Sequence, residues 1–361
     1  MLHPHARRPL LLLVPALVLA ACDGGTDPQP EYRPEETVAR LDAVVGPLLD
    51  SENAFAALAA AGDALVAFSA EPAAALLLAG PAAEPRTGSG ALRRTRHLWS
   101  TRMAFPAAIV DRTLVWSTAE GRYVVSETRT DAPEGGVRFV YYAMNPATGF
   151  PVEPLVELGH IDLTDEDVAD QERLGIRVVD SGAADVVLLD YYVGFSGYAQ
   201  ASEGDVTFTA AGALSDGTTT VQFDLLQSFR WNEALDSESL SLAYEYVADG
   251  TVRFLMEATG AFEAPPEQVD LLVEVVGGGE TVAFEAAITA GGALSGGIRV
   301  NGTTVIDIGG ADGSPIFTRT DGRSLTQEDR AALQELWSLV VDLLVLTEGL
   351  FSPAALLLLN G

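Results

Sequence analysis

The chain has 361 residues, of which 51 are acidic and 21 are basic, and its formal net charge is −30. All of the basic residues are arginine. Because lysine is absent, the chain cannot supply the lysine of a P-loop, of a protein kinase or of a Schiff-base enzyme. A surface this acidic also repels nucleic acid, so we expect no nucleic-acid partner.

The first 21 residues have the layout of an export signal. Two arginines precede an apolar, leucine-rich run at residues 9–21, which is shorter than the ~20 residues of a comfortable membrane span. Residues 19–22 read Leu-Ala-Ala-Cys, and Cys22 is the only cysteine. This pattern resembles the lipobox of bacterial lipoproteins. The alternative is an apolar N-terminal core helix with a chance cysteine.

The resemblance implies a cellular location for the protein. Residues 1–21 would be a lipoprotein signal peptide. The Cys22 thiol would receive a diacylglycerol before cleavage makes Cys22 the new N-terminus, with palmitate among the attached acyl chains. Residues 22–34 are rich in Gly and Pro, which predicts a flexible tether. We therefore expect a protein of the bacterial cell envelope, exported from the cytoplasm and anchored through Cys22 to either the inner or the outer membrane.

The few cysteine and histidine residues limit the chemistry that the chain beyond the signal peptide can perform. A single cysteine permits no internal disulfide, so the fold must rest on its core. Only His97 and His160 lie beyond the signal, which excludes a three-histidine zinc site within one chain. We expect both histidines to be structural, and we predict no catalytic, cofactor-binding or metal-binding residue and no cofactor.

Residues 35–96 predict an N-terminal helical segment and a loop. Apolar residues recur at helical spacing from Val38 to Leu49 and again from Phe55 to Phe68. Prolines and glycines then mark the loop.

Residues 97–308 predict an antiparallel β meander, either a curved sheet or a partial barrel. Segments rich in Val, Tyr, Phe and Thr alternate apolar with polar residues, and turn dipeptides such as Asn301-Gly302 separate them. The alternation on both sides of Asp249-Gly250 predicts a half-buried hairpin within residues 240–262.

Two segments within the meander suggest other structures. The acidic stretch at residues 162–172 predicts a short helix capped by Thr164, and calcium binding there is a minor alternative because the EF-hand spacing is absent. Residues 194–197, Gly-Phe-Ser-Gly, resemble a nucleophile elbow, but the second glycine falls one place early.

Residues 309–361 predict a C-terminal helical segment packed on the sheet. A helix from Thr326 to Leu346 is apolar nearly all round in its second half, which indicates burial. A second membrane anchor is the alternative, but Asp342 within the span disfavours it. We expect four side chains of this helix to lie against the sheet: Trp337, Val341, Leu344 and Val345.

The predicted fold class is therefore α+β, a large antiparallel β meander covered by N-terminal and C-terminal helices. Three functions remain open. The first is a non-enzymatic envelope protein that binds an apolar ligand or another envelope protein. The second is a purely structural or assembly lipoprotein. A hydrolase would use paired carboxylates. An open apolar cavity favours ligand binding, a solid core favours assembly, and converging buried carboxylates favour hydrolysis.

Overall fold

The computed structural model describes residues 32–68, 105–168, 171–182, 185–199, 202–232, 237–261, 268–289, 291–311 and 313–351. These residues form three helices, α1 (Pro34–Asp50), α2 (Glu52–Phe68) and α3 (Gln327–Phe351). They also form seventeen strands. The first seven are β1 (Arg112–Ser117), β2 (Arg122–Val125), β3 (Val137–Tyr142), β4 (Met144–Asn145), β5 (Phe150–Pro151), β6 (Glu157–Asp165) and β7 (Glu172–Asp180). The next five are β8 (Val186–Ala199), β9 (Glu203–Ser215), β10 (Thr220–Asn232), β11 (Ser237–Ala248) and β12 (Val252–Ala261). The last five are β13 (Gln268–Gly277), β14 (Glu280–Thr289), β15 (Leu294–Val300), β16 (Thr303–Ala311) and β17 (Ser314–Arg319).

Fifteen of these strands form one open sheet. From β6 to β17 every strand pairs with its sequence neighbour, and β3, β1 and β2 extend the other edge. The predicted α+β fold with an antiparallel meander is confirmed. β1 and β3 pair in parallel, and β4 and β5 form a separate two-stranded hairpin. The sheet continues through β17, beyond the boundary predicted at residue 308, because the chain turns back and pairs β17 with β16.

The hairpin predicted within residues 240–262 is present as β11 and β12, with Tyr246 opposite Phe254. Asp249 and Gly250 both have positive φ, at 46° and 67°, in the three-residue connection between the paired residues Ala248 and Val252. Because successive side chains of each strand point to opposite sides, the sheet has two different faces. We call the face in contact with the helices the inner face, and the opposite one the outer face.

Helix α1 covers the inner face near the hairpin turns. Its buried apolar residues, Leu41, Val44, Val45 and Leu48, follow helical spacing, and the helix contacts β9 to β13. Arg40 ties it to the sheet through a 2.9 Å ion pair with Glu280 of β14. Helix α2 covers the far end, where it contacts β2, β3 and β4.

Helix α3 lies beside α1 and across the same face. Its most deeply buried residues follow one another at spacings of three and four: Leu333, Leu336, Val340, Leu343, Thr347 and Leu350. Trp337 packs on Phe284 of β14, with ring centroids 5.5 Å apart. Among the described residues, no helix combines the length and the apolarity that crossing a membrane would require.

The prediction for α3 is wrong in one respect. Trp337 and Leu344 pack against the core, but Val341 is 42% exposed, and Asp342 beside it is exposed too. The spacing explains this result, because Val341 follows buried Val340 by one residue and so points about 100° away from it. The side chain of Val345 lies outside the described part of the structure.

The short helix predicted at residues 162–172 is also wrong. Residues 162–165 continue β6, and Glu172 begins β7. Carboxylates stabilise the connecting turn instead, because Asp165 accepts the backbone N–H of Asp167 and Asp167 accepts that of Arg173. Such local side-chain bonds compete with helix formation.

Candidate functional site

The outer face is the part of the sheet that the described helices leave uncovered. Its most organised feature is a row of alternating charges that crosses four strands. Strand register places Arg138 of β3 beside Asp162 of β6, Asp162 beside Arg177 of β7, and Arg177 beside Asp190 of β8. We call these four residues the charged row.

The strongest contact of the charged row joins Arg138 and Asp162. The guanidinium donates two hydrogen bonds to the carboxylate, at 2.6 and 2.7 Å, and both side chains are less than one-fifth exposed. Arg138 also donates to Asp131 at 2.9 Å. Such bidentate, partly buried pairs are stronger and more directional than ordinary surface ion pairs. The contact between Arg177 and Asp190 is looser, at 3.6 Å between exposed groups.

His160 lies beside this pair on β6. Its Nε2 is 3.7 Å from Oδ2 of Asp162, and its side chain is 22% exposed. Burial and the positive charge of Arg138 lower the pKa of His160, which favours the neutral imidazole at pH 7. This histidine therefore lies within a network of ion pairs. Among the described residues, no three His, Cys, Asp or Glu side chains could together hold a metal ion.

Two carboxylates near this histidine, those of Asp131 and Asp162, are both bonded to Arg138. Burial acts to raise the pKa of Asp131, but hydrogen bonds from Thr113 and Arg138 outweigh burial and lower that pKa. A carboxyl group that acts as a general acid at neutral pH needs a raised pKa instead. Asp131 and Asp162 are both engaged by the same arginine, so this cluster is suited to holding strands together.

A shallow depression of about 430 Å³ adjoins the charged row. Asp162, Arg177 and Asp190 form one side, and Tyr192 lies at the other with the Arg173 guanidinium stacked 4.4 Å above its ring. Thr164 of β6 also lines it, and the Thr164 hydroxyl lies over Gly175 of β7, where an added Cβ would come within 2.4 Å of that hydroxyl.

A second depression, of about 480 Å³, lies on β12 to β15. Carboxylates from Glu257, Asp270 and Glu285 border it, and Leu272 contributes apolar surface. Glu285 is held by Arg299 at 2.8 Å. Both depressions are open and bordered by carboxylates, unlike the apolar enclosure that a carrier of apolar molecules needs.

The remaining residues singled out by sequence fall in two groups. Ser196, in the segment resembling a nucleophile elbow, lies inside β8 and pairs with Thr207 of β9, so it lacks the strand-to-helix turn of that motif. Cys22 and His97 lie outside the described residues. Sequence reasoning missed the charged row, because residue spacing does not reveal which strands pair around the β4–β5 hairpin.

Comparisons with known proteins add no relative. No family model, curated protein or solved structure matches the chain.

Proposed function

We propose that this protein is a lipid-anchored envelope protein that binds another envelope protein through its outer face, without catalysing a reaction. The observation that carries the proposal is the difference between the two faces of the sheet. Helices and a continuous apolar core occupy the inner face, whereas across β10 to β14 no described outer-face side chain is fully buried and the helix contacts lie on the inner side. A broad uncovered face on a tethered domain is suited to a flat macromolecular partner.

Charge indicates the kind of partner. Across β10 to β16 the described outer face carries seven acidic residues and three arginines. The acidic residues are Asp224, Glu245, Glu257, Asp270, Glu274, Glu285 and Asp307, and the arginines are Arg230, Arg253 and Arg299. Arginine pairs only Glu245 and Glu285 among these acids within the described residues. A protein with a basic surface would complement this face, and its affinity would fall as salt rises.

An apolar ligand is the weaker candidate. One place for such a ligand would be the interface between α3 and the sheet, but direct contacts occupy that interface at several points. The Phe351 and Tyr244 rings lie 6.2 Å apart, the hydroxyl of Tyr246 bonds Thr347, and Tyr191 donates to the carbonyl of Leu350. These contacts favour a protein partner over a molecule held beneath α3.

Membrane anchoring rests on Cys22 and has its own test. In cells supplied with labelled palmitate, the wild-type chain should become labelled and shortened at its N-terminus. Cys22→Ser should remain an unlabelled, full-length precursor, because the acyl acceptor is the cysteine thiol. Label in the Cys22→Ser chain would contradict the assignment.

Partner binding can be tested by photo-crosslinking in the native cells. A crosslinking amino acid would replace Leu226, which is 37% exposed on the outer face, or Val341, which is 42% exposed on α3. We expect a discrete protein adduct from position 226 and none from position 341. No adduct at 226, or the same adduct from both positions, would contradict the proposal.

A further inference from the structure

One end of the inner face is apolar but only half-buried. Strand register aligns five residues across β10 to β14, which we call the distal row: Phe229, Leu240, Gly260, Val269 and Ile288. The four side chains of this row are half-buried. On the same strands, nearer α1, Tyr246, Phe254 and Val282 are at most 2% exposed.

Helix α3 ends on the same face of the sheet as this row. Phe351, its last residue, packs against Tyr244, and Leu240 lies four positions farther along β11 on the same face. Four residues of strand span about 13 Å. Helix α3 therefore ends at Tyr244, about 13 Å along β11 from the distal row, and residues 352–361 follow it in the sequence.

The sequence of residues 352–361 is suited to an apolar surface. It reads Ser-Pro-Ala-Ala-Leu-Leu-Leu-Leu-Asn-Gly and contains no charged residue. A proline at position 353 removes a helical hydrogen bond and so favours a change of direction after α3. Ten residues can reach at most about 33–36 Å, and the distal row is four inter-strand steps wide, or about 19 Å.

We propose that the distal row is the docking surface for this chain's own C-terminal residues 352–361. Their leucines would cover the four apolar side chains, with Gly260 leaving room between Leu240 and Val269. The occupant is then covalently attached and always present, which a lipid or a second copy of the chain is not. This inference is independent of the partner proposed for the outer face.

Cysteine pairing tests the contact in the full chain. Leu240→Cys would be combined in turn with a cysteine at each position from 356 to 359, and mild oxidation would be followed by peptide mapping, which distinguishes these disulfides from any at Cys22. The matched control is Ser241→Cys, whose side chain belongs to the outer face. We expect an intramolecular disulfide with position 240 for at least one leucine position, and little with position 241.

Three results would overturn the proposal. These are no disulfide at position 240 with any of the four tail positions, equal yields at positions 240 and 241, or disulfides that link two chains. In the first case, native mass spectrometry of the detergent-free protein would show whether lipid occupies the distal row. In the third case, the row would be an interface between copies. Because the cysteines replace only a half-buried leucine and tail residues, cooperative melting of each variant checks that the fold is retained.

Discussion

The hydroxyls beneath α3 show how single residues satisfy the buried polar groups of the core. Thr347 is fully buried and donates its hydroxyl to the carbonyl of Leu343 at 2.6 Å. Its oxygen can therefore accept from the hydroxyl of Tyr246, which is also fully buried. Burial raises the pKa of Tyr246 far above its ordinary range, so the phenol keeps its proton and remains the donor.

This arrangement predicts unequal costs for removing the two partners. Thr347→Val leaves the Tyr246 hydroxyl buried without an acceptor and should cost about 1–3 kcal/mol in the free energy of unfolding. Tyr246→Phe leaves Thr347 bonded to Leu343 and should cost about 0.5–1.5 kcal/mol. The double variant should cost less than the sum of the single variants. Urea unfolding measures all three, and equal costs for the single variants would contradict the assignment of donor and acceptor.

His160 predicts a component of the pH dependence of stability. Burial first, and then Arg138, lower its pKa in the folded state, so the unfolded chain binds the proton more readily. Stability is therefore full above the ordinary histidine pKa and is lost as the pH falls through the lower, folded value. Thermal melts of wild type and His160→Gln between neutral and mildly acidic pH should differ in slope, with the smaller loss in the variant. Identical slopes would show that His160 contributes nothing to the pH dependence of stability.

At the scale of elements, α3 is stabilised by one face only. Leu343 is fully buried, so Leu343→Ala should lower the free energy of unfolding by about 2–5 kcal/mol. Val341→Ala removes an exposed side chain two residues away and should change it by less than about 0.5 kcal/mol. Chemical denaturation of the two variants provides the comparison. A large loss from Val341→Ala would indicate that α3 is rotated from the position described.

The elements that sequence predicted well were those with strong local signals. Asp249-Gly250 set the β11–β12 hairpin, because its residues adopt positive φ and alternation fixed which side faces inward. The helix predicted at residues 162–172 was wrong because Asp and Thr suit helix caps and turns equally well. Val341 was predicted to be buried because apolar composition alone does not give the direction of a side chain around α3.

At the scale of the whole molecule, long-range pairing was the information that sequence lacked. The charged row needs β3 beside β6, and the β4–β5 hairpin separates them along the chain. The parallel pairing of β1 with β3 has no local signal either. Local patterns therefore predicted the covered sheet, but the residues of its outer face were brought together by topology.

The difference between the two faces is the central claim, and cysteine accessibility in the native envelope tests it most directly. Thr259→Cys places a thiol on the exposed outer face, and Val341→Cys places one on the exposed side of α3. Maleimide labelling would be compared between intact envelopes and the purified protein. We predict that the envelope slows labelling at position 259 severalfold and leaves position 341 unchanged. Equal labelling of position 259 in both preparations, or protection of position 341 alone, would contradict binding through the outer face.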